Sequence, residues 1–330
     1  MPGTLEARRL TEAHRRAQVA NERSFLAEFL AAWGLLDLAN LDLATPSWLR
    51  VVMRLIEVFR EISANLARDY VREHRALELP DTSIELPELV FDAGSGPQVT
   101  LDLSRRATRV PRQTPGRPRN PIPLRPDPAR GALVLNWRDR DPQVEASLRA
   151  TGPQTAKYRI GRGETPEAAA RNASVQAAGA AIRHVGNGGR DTALTLIKND
   201  QAAVAFIRVT GPNPCAFCAM LASRGPVYRS EWAAGGSNRR SDRNKKDPRT
   251  AFIGNGEFKV HDNCMCRVIG VYSRTAEWPG RGREFQQLWN NHIQGRFSGD
   301  DAIRAWRRLI ERPEVFLEKQ GAKTQKRRAA

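Results

Sequence analysis

The sequence predicts an α+β protein that is mainly helical: an N-terminal helical domain (1–80), an extended Pro/Arg-rich linker arm (81–131), a C-terminal α+β domain (132–275) with a zinc-knuckle-like Cys/His cluster, and C-terminal helices with a basic tail (276–330). Three observations carry this reading. Apolar residues recur at helical spacing through much of the first 80 residues. Seven prolines and eight arginines crowd into 105–130. All four cysteines fall between 215 and 266, in a C-x-x-C answered by a C-x-C. At about 150 residues per domain, 330 residues suit roughly two globular units.

The elements follow in order. A first helix is expected over Leu10–Trp33, ending near Gly34. A second begins at Thr45-Pro46, a capping residue followed by proline at the first helical position. Leu49, Val52, Ile56, Phe59, Leu66 and Tyr70 form its apolar stripe, which packs against the first helix. A short strand is expected near Val99–Leu103. Between Arg105 and Arg130 the prolines remove backbone donors and the arginines, set against Asp127 alone, repel one another. Such a segment is semi-extended and reaches about 80 Å at roughly 3.1 Å per residue. It serves either as an inert tether or as an arm over a neighbour or over a polyanion such as DNA.

Thr165-Pro166-Glu167 starts a helix expected to run to His184, where Gly186-Asn187-Gly188-Gly189 ends it. His184 then reads as a residue facing a helix C-terminus rather than as a catalytic base. A separate helix over Asp191–Asp200 and a strand over Ala205–Val209 lead into the cysteine cluster. Helices near Glu284–Ile293 and Asp300–Ile310 follow. Lys319, Lys323, Lys326, Arg327 and Arg328 make a basic tail.

Lys and Arg total 53 against 36 Asp and Glu, a formal net charge of +17. Eight of the 53 are lysine, an imbalance that a GC-rich genome would favour. The net charge is a separate matter, because a field of this sign attracts polyanions and above all nucleic acid, without sequence preference. The opening MPGTLEARRL has no apolar signal core, and Glu28, Asp37 and Asp42 interrupt the longest apolar stretch. The expectation is a soluble protein without a membrane partner, made in a reducing cytoplasm.

Pro212-Asn213-Pro214-Cys215-Ala216-Phe217-Cys218 has the form of a metal knuckle, since its spacing lets two thiolates converge on one ion. His261, Cys264 and Cys266 offer the remaining ligands, so five donors compete for four places. The preferred set is Cys215, Cys218, His261 and Cys264, with Cys266 as substitute and structural zinc as the ion. Three rivals stand beside it. Disulfides would need an oxidising setting, a redox C-x-x-C leaves the distal residues unexplained, and a Cys–His nucleophile leaves three cysteines surplus. The loop Arg229–Lys259 between the halves is glycine-rich and basic, and reads as a solvated insertion clipped at its base.

The stretch VTGPNPCAFCAMLASRGPVY followed by HDNCMCRV resembles the C-terminal signature of the Mu F-like phage head morphogenesis family. TEAHRRAQ, WGLLDLANLD, PSWLRVV and HVGNGGRDT are similar to minor capsid proteins of actinobacterial tailed phages. Asp262 stands where that family commonly has proline, and the basic insertion is long. The resemblance implies a minor head protein located in the virion, acting with portal and major capsid protein, and with scaffold as a further candidate, during head assembly. The basic segments suggest packaged double-stranded DNA as a partner. Two alternatives remain: a capsid maturation protease, for which neither G-x-S-x-G nor H-E-x-x-H is present, and a nonspecific DNA-binding head protein. No catalytic residue is assigned.

Overall fold

The computed structural model describes residues 5–91, 99–100, 133–135, 137, 141–228, 260–273 and 275–318. The 105–130 arm, the 229–259 insertion and the 319–330 tail lie outside the described residues. The described part is mostly helical with a few short strands.

Helices α1 (Leu5–Trp33) and α2 (Leu41–Glu78) form an antiparallel hairpin. Its register is visible in three crossing hydrogen bonds. Thr11 Oγ1 meets the Tyr70 hydroxyl at 3.0 Å, Gln18 Nε2 donates to the Ser63 carbonyl at 2.8 Å, and Asn21 Nδ2 donates to the Phe59 carbonyl at 3.0 Å. α2 starts ahead of Thr45-Pro46, so Pro46 lies inside it rather than at its first position. The physical reason is an upstream turn built by Asp37, whose carboxylate accepts from the Ala39 N–H at 2.9 Å and from Asn40 Nδ2 at 2.8 Å. Leu41 is buried by the extra turn, while Pro46 forfeits one bond, to the Asp42 carbonyl.

Strands β1 (Leu89–Phe91), β2 (Val99–Thr100) and β3 (Leu133–Leu135) make a small parallel sheet in the order β1-β3-β2. The strand expected over Val99–Leu103 is thus present at its first two residues; 101–103 lie outside the described residues. α3 (Asp141–Arg149), a π-helical turn (Ala150–Gln154) and α4 (Thr155–Gly161) then lead to α5 (Pro166–Asn199). Thr165 caps α5 as the sequence suggests, its side chain accepting from the Ala168 N–H at 3.3 Å.

The glycine run does not end α5. One continuous helix of 34 residues replaces the two expected over 165–184 and 191–200, and His184 therefore lies mid-helix rather than at a C-terminus. The glycines serve close packing instead. A Cβ at Gly188 would lie 2.2 Å from the Arg60 carbonyl oxygen of α2, and one at Gly189 would lie 2.8 Å from both Gln18 Nε2 and Ser63 Oγ. In the space they leave, Ser63 Oγ accepts from the Gly189 N–H at 3.0 Å and donates to Gln18 Oε1 at 2.7 Å. A C-terminal glycine signal and a helix-contact glycine look alike in sequence. Here burial against α2 decides.

β4 (Ala205–Val209), α6 (Ala216–Ser223), β5 (Val227–Tyr228) and β6 (Arg267–Val271) follow, the strands forming an antiparallel sheet in the order β5-β4-β6. One core joins this sheet to α2, α5 and the parallel sheet, and includes Ala67, Val71, Leu135, Leu196, Ile207 and Ile269. The helices of 1–80 thus share their core with the segment after 132. A second core of Phe25, Phe29, Trp48, Ile56, Leu148 and Ala177 fills the other end of the α1–α2–α5 bundle. α7 (Gly282–His292) and α8 (Gly299–Glu311) fall where the sequence places helices, and pack Phe285, Ala305 and Trp306 on α6.

Two buried histidines line the first core. His14 stacks on Tyr70 at 4.3 Å between ring centroids, and His74 lies 5.3 Å from Tyr70 and 6.0 Å from Tyr272. Burial, helped by the nearby Arg267 guanidinium, pushes His14 down to about 3; burial alone pushes His74 down to about 4. Both rings take up protons near 6.5 when unfolded, so below that pH the unfolded chain binds more protons than the folded one. Stability is therefore expected to fall as pH drops from about 6.5 toward 4, by on the order of 1 kcal/mol per pH unit for each ring. Urea unfolding across that range checks it: His14→Phe together with His74→Phe should flatten the slope, and an unchanged slope would exclude these rings as its source.

Candidate metal centre

The sheet brings the two halves of the Cys/His cluster together. In the β4–β6 register Val209 opposes Arg267, so the chain leaving β4 toward Cys215 lies beside the chain entering β6 from Cys266. Cys215 caps α6, its Sγ accepting from the Cys218 N–H at 3.4 Å. One helical turn therefore separates the two thiols and leaves them on the same side. Trp306 Nε1 of α8 donates to the Ala216 carbonyl at 2.8 Å and pins that helix start. On the other half, the Cys264 N–H donates to the His261 carbonyl at 3.1 Å, closing a turn in which Asn263 adopts a left-handed backbone with φ of 59°.

All five donors converge. His261 Nε2 lies 3.0 Å from Cys215 Sγ and 3.2 Å from Cys218 Sγ, and Cys218 Sγ lies 3.7 Å from Cys264 Sγ. With Zn–S bonds near 2.3 Å, the thiolates of a tetrahedral site sit about 3.8 Å apart, close to the Cys218–Cys264 separation. The donors fall into two triads, Cys215–Cys218–His261 and Cys218–Cys264–Cys266, each with its ligand atoms within 4.8 Å of one another. Cys218 belongs to both. No four of the donors lie within 4.8 Å of one another among the described residues, so a tetrahedral ion would draw one distal thiol inward. All four cysteines are free thiols.

The donor set fits a borderline-soft divalent ion. His261 Nδ1 lies 2.6 Å from the Asp262 carbonyl, which can only accept, so Nδ1 carries the proton and the Nε2 lone pair faces the two thiols. Hydrogen bonds from Cys218 and then Cys266, aided by the nearby Arg190 guanidinium, pull the Cys264 thiol well below its ordinary range. Cys218 is pushed up by its bonds to Cys264 and Cys266 and by burial. Cys266 also sits high: its bond with Cys218 favours the thiolate, but Cys264 and burial outweigh it. Thiols packed this closely give up their protons when a cation binds among them.

Each metal-ligand candidate from the sequence is therefore in one place, whereas His184 belongs to α5 and lies beside Arg183, 3.2 Å from its Nη2. Sequence reasoning missed the residues that hold the distal half. Arg190 is buried and donates to the Cys266 carbonyl at 3.1 Å and to the Cys264 carbonyl, and Arg183 pairs with Asp262 at 3.1 Å. The signal in the sequence is an arginine directly after the glycine run, Gly188-Gly189-Arg190.

Residues 138–291 match the family model described as VG15 protein. The chain is also similar to the "Gene 15 protein" of Mycobacterium phage D29, with 29% identity over 179 residues, covering 48% of this chain and 60% of that protein. These matches indicate a phage protein family. The chain spans about 60% of the length of this relative. The VG15 match contains the whole Cys/His centre, from Cys215 to Cys266. No solved structure matches the chain. No helix among the described residues is long and apolar enough to cross a membrane.

Proposed function

We propose that this protein is a minor structural component of the phage head, acting at the portal and capsid during head assembly and DNA packaging, with a zinc ion tying its α+β domain together. The observation that carries the reading is the convergence of Cys215, Cys218, His261, Cys264 and Cys266 within the stretch that matches a phage family. The Mu F-like resemblance of the same two motifs supports the head assignment. In this reading the ion is held by Cys215, Cys218, His261 and one of Cys264 or Cys266. It supplies a cross-link rather than chemistry: it joins the end of β4 to the start of β6 and closes the loop that carries the basic insertion. Portal and capsid, with scaffold during assembly, are the proposed protein partners, and packaged DNA the electrostatic one for the basic segments.

Purified virions of the encoding phage test the head assignment. Mass spectrometry should find the chain in the particle at a few copies, and a density label on it should appear at the portal vertex or inside the shell. Abundance in infected-cell lysate with absence from purified particles would overturn it.

A further inference from the structure

We infer that one face of α5 is the template on which the distal half of the Cys/His centre is set, with Arg190 as its positioning residue; this deepens the metal reading and rests on it. Gly179, Arg183, Gly186 and Arg190 follow one another at spacings of four, three and four, which places them on one face of the helix. Gly179, Arg183 and Arg190 each answer a feature of the 262–266 loop. The Asn263 N–H donates to the Gly179 carbonyl at 3.2 Å, and a Cβ at Gly179 would lie 2.7 Å from the Asn263 side-chain nitrogen. Arg183 pairs with Asp262 at 3.1 Å. The Arg190 guanidinium spans the rest: Nε donates to the Cys266 carbonyl at 3.1 Å and Nη2 to the Cys264 carbonyl. Its Nη1 is tied back to the helix through the Arg183 carbonyl at 3.2 Å and Asn187 Oδ1 at 2.9 Å.

Gly186 makes room for this fork. A Cβ there would lie 2.9 Å from Arg190 Nη2 and 3.0 Å from Nη1. The glycine run thus has two jobs on two faces: Gly188 and Gly189 admit α2, and Gly186 admits the guanidinium. A planar, fixed-charge fork holds several acceptors in defined directions, which a lysine ammonium on a flexible stem does not. Arg190 grips the carbonyls of Cys264 and Cys266, so it sets where both thiols point before any ion arrives. Its charge also offsets the thiolates that an ion would gather.

The test is cobalt(II) uptake by the full chain, read by absorbance, with circular dichroism to confirm folding. Wild type should show tetrahedral bands with charge transfer from three thiolates. Arg190→Met should lose about a third of that charge transfer, as the distal thiolate leaves the ion. It should also release metal to a chelator roughly tenfold faster. Arg190→Lys should not restore either property. Asn187→Ala removes a single bond to the guanidinium and should move both readings the same way by less; it carries the test if Arg190→Met does not fold. Folded variants with wild-type charge transfer and release would overturn the inference. If wild type takes up no cobalt, the metal reading fails on its own, and thiol labelling decides the template: Cys264 and Cys266 should react faster in Arg190→Met, and equal rates would overturn it.

Discussion

Gly188→Ala is expected to destabilise the protein by about 3 kcal/mol, although alanine ordinarily favours a helix interior over glycine by up to about 1 kcal/mol. The added methyl would lie 2.2 Å from the Arg60 carbonyl oxygen, a main-chain atom that cannot swing aside. α2 and α5 would have to separate. That opening would stretch the buried bonds of Ser63 to Gln18 and to the Gly189 N–H, which lie at 2.7 and 3.0 Å. Gly161→Ala at the end of α4 is the control, because a Cβ there meets nothing within 4 Å. Urea midpoints of the two variants should therefore move apart, Gly188→Ala down and Gly161→Ala little or slightly up. A stabilised Gly188→Ala would mean that α2 does not press against α5 at this position.

Cys218→Ser is expected to have the largest effect of any single substitution in the centre, because Cys218 belongs to both triads. Structural zinc contributes on the order of 10 kcal/mol of apparent binding energy in small zinc folds near neutral pH, and that scale bounds what the domain would lose. Cys264→Ser and Cys266→Ser should each cost less, since the remaining distal thiol can complete the set. Thermal unfolding with and without a chelator separates the cases. The wild-type transition should fall on chelation, whereas that of Cys218→Ser should already be low and indifferent to the chelator. Equal loss from all three substitutions would argue for simple packing of buried thiols instead.

Much of the helical frame is legible in the sequence because its signals are local. The apolar stripe of α2, the Thr165-Pro166 start of α5 and the two C-terminal helices each depend on a few neighbouring residues. The C-x-x-C and H-x-x-C-x-C motifs are legible for a similar reason, since ligand spacing constrains what can converge. Three features are not local, and the neighbouring residues do not reveal them. The early start of α2 depends on burial of Leu41 and on the Asp37 turn, which outweigh the Thr45-Pro46 signal. The continuity of α5 depends on α2 lying against Gly188 and Gly189, a contact between residues over a hundred positions apart in the chain. The role of Arg190 depends on both, because its guanidinium faces Cys264 and Cys266 only if the helix continues past the glycines.

The most direct measurement is the metal content of the full chain purified without added metal, paired with a count of reactive thiols. One zinc per chain is expected, with the thiols protected until a chelator removes the ion and all four titratable afterwards. A folded protein with no metal and four titratable thiols would contradict the central claim, and a Cys215–Cys218 disulfide would replace the metal centre with a redox pair.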